Sequence, residues 1–145
     1  MIHMLCKNES IDYKWAKDIV KQYTDQFKGF RKMFGSKAVL DKDGFIDSTN
    51  LFYCLNLMLG INLMLDIMEN EQSKDQREAF QVFITAINQL EKRRERELCY
   101  YLFILGKTAS QAAQKMGVRR ETVQRKKNKL VIKLVLLIEY EKGRV

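Results

Sequence analysis

Apolar residues recur at intervals of three and four along most of the chain, which is typical of α-helices with one buried side. The first helix is predicted to follow Ser10, which is a good capping residue, and to end near Gly35. Its inward stripe is predicted to consist of Trp15, Ile19, Tyr23, Phe27, Phe30 and Phe34. Since the chain contains no proline, the predicted fold class is all-α.

Two further helices are predicted before residue 91. One begins at Ser48, runs to about Asn70 and is apolar nearly all round, as expected for a helix buried between neighbours. The next opens with a capping-box pattern over residues 73–76. Its predicted core side chains are Phe80, Phe83, Ile84, Ile87 and Leu90.

The segment DKDG at residues 41–44 is predicted to form a turn. Aligning Gly44 with the glycine of a calcium-binding EF-hand loop places Val39 and Asn50 where the loop needs its first carboxylate and its bidentate glutamate. Two ligands are therefore missing, and no calcium site is expected. The three cysteines and the single histidine, His3, show no zinc-ligand spacing, so we predict no metal and no cofactor.

The net positive charge of the chain is confined to its C-terminal part. The formal net charge is +8, but residues 1–90 contain 11 Lys and Arg against 12 Asp and Glu. Residues 91–145 contain 15 against 6. The run EKRRERE at 91–97 marks the predicted boundary, as a solvated helix or a short linker, with helix favoured because nothing there breaks one. The predicted domains are a helical dimerisation or interaction part over 1–90 and a basic module over 91–145 that binds a polyanion.

The basic module has the pattern of a helix-turn-helix. An apolar face formed by Leu98, Tyr101, Leu102 and Leu105 ends at Gly106. Residues 108–111 then form a capping box, and the short helix that follows ends at Gly117. Small Ala113 allows a close helix crossing, while Val118 and Val123 supply apolar contacts around the start of the next helix. This pattern predicts a protruding helix that can enter the major groove of duplex DNA.

The side chains of that helix suit DNA. With Val123 inward, the predicted outward set is Arg119, Arg120, Glu121, Gln124, Arg125 and Asn128. Arg can bind guanine, Gln and Asn can bind adenine, and Glu can accept from cytosine. Predicted phosphate contacts are Lys115, Lys126, Lys127 and Lys129, together with Thr108 and Ser110 at the start of the preceding helix.

The stretch GVRRETVQRKKNKLVIKL resembles the second half of the sigma-factor region 4 helix-turn-helix, whose usual pattern G-V-[ST]-R-E-[RT]-V is matched at Gly117, Val118, Arg120, Glu121 and Val123. The resemblance implies promoter contacts by Arg120, Glu121, Gln124 and Arg125. Arg119 departs from a usual capping Ser or Thr, and Lys126 from a usual buried aliphatic residue. The layout of the chain also resembles small phage-encoded transcriptional regulators of the ArpU/RinA type.

The run LVIKLVLLIEY at 130–140 is apolar on almost every side and must pack either on the N-terminal helices or on another copy. Because helix-turn-helix proteins commonly dimerise, a homodimer is favoured, and an internal core is the alternative. This run and residues 51–65 are both too short to span a membrane, so no membrane partner is expected. The odd number of cysteines without a signal peptide indicates a cytoplasmic protein.

The predicted function is a sequence-specific DNA-binding transcriptional regulator with double-stranded DNA as its partner and RNA polymerase as a second candidate partner. Two alternatives stay open: a DNA-packaging or recombination accessory protein, similar to small terminase subunits that form rings, or a protein-binding inhibitor of the transcription machinery. An enzyme is not expected, because apart from His3 no cluster of acid, base and nucleophile and no glycine-rich phosphate loop is present.

Overall fold

The computed structural model describes residues 9–27, 40–47 and 70–143, and the side chains of residues 13–25, 40–47 and 78–143. The described helices are α1 (Glu9–Phe27), α2 (Asn70–Asn88), α3 (Arg93–Cys99), α4 (Ala109–Met116) and α5 (Arg120–Glu141). A π-helical segment, Tyr100–Ile104, continues α3. In these ranges the only β-type pairing is an isolated antiparallel bridge between Leu40 and Ile46. The described part is thus all-α as predicted, while the predicted helix over 48–70 and the stop at Gly35 lie outside it, apart from Asn70.

The core of the described part is one continuous cluster to which all five helices contribute. Helix α1 packs more extensively against α5 than against any other described helix. Tyr23 of α1 stacks on Phe83 of α2 with ring centroids 5.5 Å apart. The ring of Phe83 meets Phe103 of the π-helical segment edge-on at 6.4 Å. These aromatic contacts, each favourable beyond the area they bury, connect α1, α2 and the π-helical segment.

The predicted inward stripe of α1 is wrong at Trp15, whereas Tyr23 and Ile19 pack on the core as predicted, and the side chains of Phe27, Phe30 and Phe34 lie outside the described residues. Trp15 is 46% exposed, whereas Ala16, Val20 and Tyr23 are buried and Ile19 is partly buried. Ala16 takes the buried position beside Trp15, so the more hydrophobic of these two neighbours is not the one that faces the core.

Helix α2 begins earlier than predicted but buries the predicted side chains. Its first residue is Asn70, so the capping-box pattern at 73–76 lies inside the helix and does not start it. The predicted core residues Phe80, Phe83, Ile84, Ile87 and Leu90 are all buried. The 3.6-residue period therefore predicts the inward face of this helix more reliably than its first residue.

The charged run at 91–97 does form a helix from Arg93 onward, but it is neither a continuation of α2 nor fully solvated. The helix α2 ends at Asn88, and Arg96 is only 6% exposed. The Arg96 guanidinium donates to the carbonyls of Leu90 (2.7 Å) and Glu91 (3.2 Å) just beyond α2, and to that of Asp43 (2.9 Å). It also lies 3.8 Å from the centre of the Phe45 ring.

The turn at 41–44 is packed against this joint between α2 and α3. Its Asp41 carboxylate accepts hydrogen bonds from the backbone amides of Asp43 and Phe45, as an Asx turn does, so the predicted turn is confirmed. The Asn88 side chain bonds both the amide (2.9 Å) and the carbonyl (3.2 Å) of Ile46. Together with Arg96, these bonds fix residues 40–47 to the end of α2.

The C-terminal half of α5 is covered within the chain. Its buried apolar side chains are Leu130, Val131, Leu134, Val135, Leu136 and Ile138. Of the two possibilities left open by the sequence, packing on the other helices of the same chain is the one observed. The apolar run at 130–140 therefore gives no support to the predicted homodimer. None of the helices in the described ranges is both long enough and apolar enough to cross a membrane.

Candidate nucleic-acid interface

Helix α4 starts at the predicted capping box. The Thr108 hydroxyl accepts a hydrogen bond from the Gln111 amide at 3.1 Å, and the Gln111 side chain accepts one from the Thr108 amide at 3.0 Å. These reciprocal bonds satisfy two amides that the first helical turn leaves without partners. Thr108 and Ser110 are both exposed, but they lie at the opposite end of this eight-residue helix from the turn.

The turn after α4 is built by Gly117. Its φ of 68° lies in the left-handed region that glycine enters at little cost. The amide of Val118 donates to the Ala113 carbonyl at 3.0 Å, and the amide of Gly117 donates to the Gln114 carbonyl at 3.4 Å. This pair of bonds is a Schellman motif, and it ends α4 at the predicted residue. Ala113 is buried, as the predicted close crossing requires.

Helix α5 begins three residues later with exposed, mainly cationic side chains. Arg119 takes the capping position but makes no side-chain capping bond, in line with its departure from the family pattern. Most residues of this segment that are predicted to contact DNA are exposed: Arg119, Arg120, Glu121, Gln124, Arg125, Asn128 and Lys129. Lys127 is partly buried. Lys115 and Lys126 are also exposed, so at position 126 the chain does not have the buried residue usual in the family.

One side of α5 changes from exposed to buried along its length. Gln124, Asn128 and Val131 follow one another at steps of four and three residues and therefore share a helical face. The first two are exposed, whereas Val131 is 2% exposed. On an adjacent side, about a quarter of a turn round the helix, Val123 is already buried near the helix start. The helix is thus held along one side from its first turn and leaves the body on the side of Gln124 and Asn128 before residue 129.

Among the described residues, no acid forms an ion pair with the cations at the start of α5. Within the described residues, the ion pairs join Arg93 and Arg94 to Glu97, and Lys133 to Glu95, and none involves a cation of residues 115–129. Cations at a helix N-terminus oppose the helix dipole, at a cost of about 0.3–1 kcal/mol each. Arg119 and Arg120 therefore do not stabilise the helix that carries them, whereas an anion bound there would be favoured by both the charges and the dipole.

The structure adds one side chain that the sequence did not indicate. Arg94 of α3 donates to the Met116 carbonyl at 3.1 Å, immediately before Gly117. Its neighbour Arg93 has the same charge and similar exposure but makes no such contact. Two adjacent arginines in a run of charges look alike in sequence, so no local signal separates them.

Comparisons of the chain with family models, with curated proteins and with solved structures find no match. The resemblance to the sigma-factor region 4 pattern therefore rests on the residues of the motif alone.

Proposed function

We propose that this protein is a sequence-specific DNA-binding transcriptional regulator, in which α4, the turn at Gly117 and the first half of α5 act as a helix-turn-helix. The observation that carries the proposal is the change along α5: a face that is buried from Val131 onward is exposed and rich in hydrogen-bond donors before it. An α-helix presented in this way is of a size that the major groove admits.

The roles follow from position on this face. Arg120 and Arg125 carry planar donor pairs suited to guanine, Gln124 and Asn128 suit adenine, and Glu121 can accept from cytosine. Lys127 and Lys129 follow further along α5, where phosphate contacts would fix the register of the helix on the duplex. Thr108 and Ser110, at the start of α4, are suited to a more distant phosphate, with the Thr108 hydroxyl hydrogen free to donate while its oxygen caps the helix.

The proposal is tested by selecting bound fragments from a random duplex pool at about physiological salt. The wild-type protein is expected to enrich a defined sequence. The double variant Arg120→Gln with Arg125→Gln is expected to lose that preference, because each lost bidentate base contact removes about 1–3 kcal/mol of discrimination. Lys14→Gln with Lys17→Gln is the matched control, since it removes two exposed charges from α1, which is not part of the proposed helix-turn-helix.

Either of two results would overturn this assignment. One is a wild-type protein that retains no duplex even at low salt, which would favour a protein-binding role. The other is a double variant at positions 120 and 125 that still enriches the wild-type sequence. Sedimentation of the protein bound to its enriched duplex separates the packaging alternative, because a ring of eight or more subunits would indicate a terminase-like assembly.

A further inference from the structure

Arg94 connects the first helix of the basic segment to the turn before α5. It projects from α3, and its Nη2 donates to the carbonyl of Met116, the last residue of α4. In the chain, Met116 is preceded by exposed Lys115 and followed, after the turn, by exposed Arg119. The guanidinium of Arg94 therefore lies beside the turn that precedes the cationic start of α5.

Arg93, one residue earlier, lies on a different part of the surface. A Cβ atom built on Gly44 would be 2.7 Å from the Arg93 Cγ, so the stem of this side chain lies against the turn at 41–44. Its Nε bonds Glu97 at 2.9 Å. The side chains of Arg93 and Arg94 are 58% and 54% exposed, so the two arginines differ in direction and not in exposure.

Arg94 keeps donors available after its bond to Met116. A guanidinium has five N–H groups, and only one of them is used by that carbonyl. Among the described residues, Arg94 forms an ion pair with Glu97, whose carboxylate oxygen is 4.0 Å from Nη1 and thus too far for a hydrogen bond. Glu97 also pairs with Arg93. The side chain is thus held in place by a carbonyl while most of its charge and donors still face solvent.

From this arrangement we infer that Arg94 binds a backbone phosphate of the duplex outside the groove occupied by α5, so that α3 forms part of the DNA interface. A guanidinium fixed by one carbonyl loses little additional freedom when it binds an anion, and arginine suits the geometry of a phosphate oxygen pair. The inference rests on the proposed function, because it requires the start of α5 to lie along DNA.

The test compares Arg94→Gln with Arg93→Gln. Glutamine is uncharged and two bonds shorter than arginine, so the first variant removes the charge together with the bond to the Met116 carbonyl. Affinity for a duplex carrying the enriched sequence is measured over a range of salt concentrations. The slope of log K against log salt is negative, and loss of one phosphate contact is expected to make it shallower by about 0.9. This corresponds to about fivefold weaker binding at 0.15 M salt. Arg93→Gln is expected to keep the wild-type slope.

The outcomes distinguish a failure of this inference from a failure of the proposed function on which it rests. If Arg94→Gln keeps the wild-type slope, or if Arg93→Gln lowers it equally, Arg94 is not a phosphate contact. Because the double variant Arg120→Gln with Arg125→Gln is measured in the same assay, unchanged binding there would instead overturn the proposed function. Thermal unfolding of both α3 variants identifies a loss of folding, and Arg94→Lys, which keeps the charge, is expected to retain most of the slope.

Discussion

The two halves of α5 have similar helical geometry and opposite surroundings. Residues 120–129 face solvent on most sides and carry cations, while residues 130–139 are buried on nearly all sides among the other helices. No proline, glycine or left-handed residue interrupts the helix between them. The direction in which Arg120 or Gln124 points is therefore set by buried Val123 in the same turn together with the packing of side chains such as Leu134, roughly 15–20 Å further along the helix.

The largest difference between the halves is expected in stability. Leu134→Ala removes a fully buried side chain and is expected to lower the free energy of unfolding by about 2–5 kcal/mol. Lys126→Ala, eight residues earlier on the same helix, is exposed and is expected to change it by less than about 0.5 kcal/mol. Urea unfolding followed by circular dichroism measures both. Similar losses in the two variants would show that the first half of α5 is not an independent surface.

A smaller effect of opposite sign is expected at the start of the exposed half. Arg119 occupies the capping position without making a capping bond, so Arg119→Ser supplies the missing acceptor and removes a cation from the positive end of the helix. The free energy of unfolding is expected to rise by about 1 kcal/mol. If Arg119 binds DNA, the same variant binds its duplex more weakly, and fluorescence anisotropy measures this.

A combined gain in stability and loss of affinity would show that the residue is present for binding rather than for folding. Arg119→Lys, which keeps the charge and adds no cap, serves as control and is expected to leave both quantities nearly unchanged. If Arg119→Ser is more stable and binds DNA as tightly as the wild type, Arg119 does not belong to the interface.

The smallest effect on stability near neutral pH is expected from the thiol of Cys99, which lies close to the buried half of α5. Burial raises the pKa of the Cys99 thiol well above its usual range, nearby Glu95 raises it further, and Lys133 of α5 lowers it. The folded thiol thus stays protonated where the unfolded thiol ionises. Its contribution to stability is complete below the unfolded pKa, near about 8.5–9, and is lost as pH rises from there toward the folded pKa.

Cys99 is therefore expected to resist alkylation at pH 8 in the native state and to react once urea unfolds the protein. Peptide mass spectrometry at Cys99 measures the modified fraction against urea concentration. The expected midpoint coincides with that of circular dichroism. Modification at low urea, before the helical signal changes, would show that the buried half of α5 opens locally.

Local signals in the sequence were sufficient for the two ends of α4 and insufficient for the packing around it. The capping box at Thr108 and the glycine at 117 act within a few residues, so the sequence predicts both ends of α4. The burial of Arg96 depends instead on the Asp43 carbonyl and the Phe45 ring, some fifty residues away. A run of charged residues does not predict such long-range contacts, and an arginine between glutamates is normally solvated.

The wrong prediction at Trp15 has a similar cause. The stripes Trp15–Ile19–Tyr23 and Ala16–Val20–Tyr23 have almost equal helical spacing and share Tyr23, and hydrophobicity favours the tryptophan. The choice is made by the space between packed helices, which depends on the tertiary structure. The same holds for the apolar run of α5, whose partner within the chain could be identified only from the packing.

The uninterrupted α5 also bears on how such a protein could change its target. The side chains that face solvent before residue 129 lie outside the buried set that fixes the helix and are joined to it by the common backbone. Replacing them one at a time would alter the chemistry offered to a partner while the scaffold beneath stayed as it is. New recognition could thus evolve at these positions without compensating changes in the core.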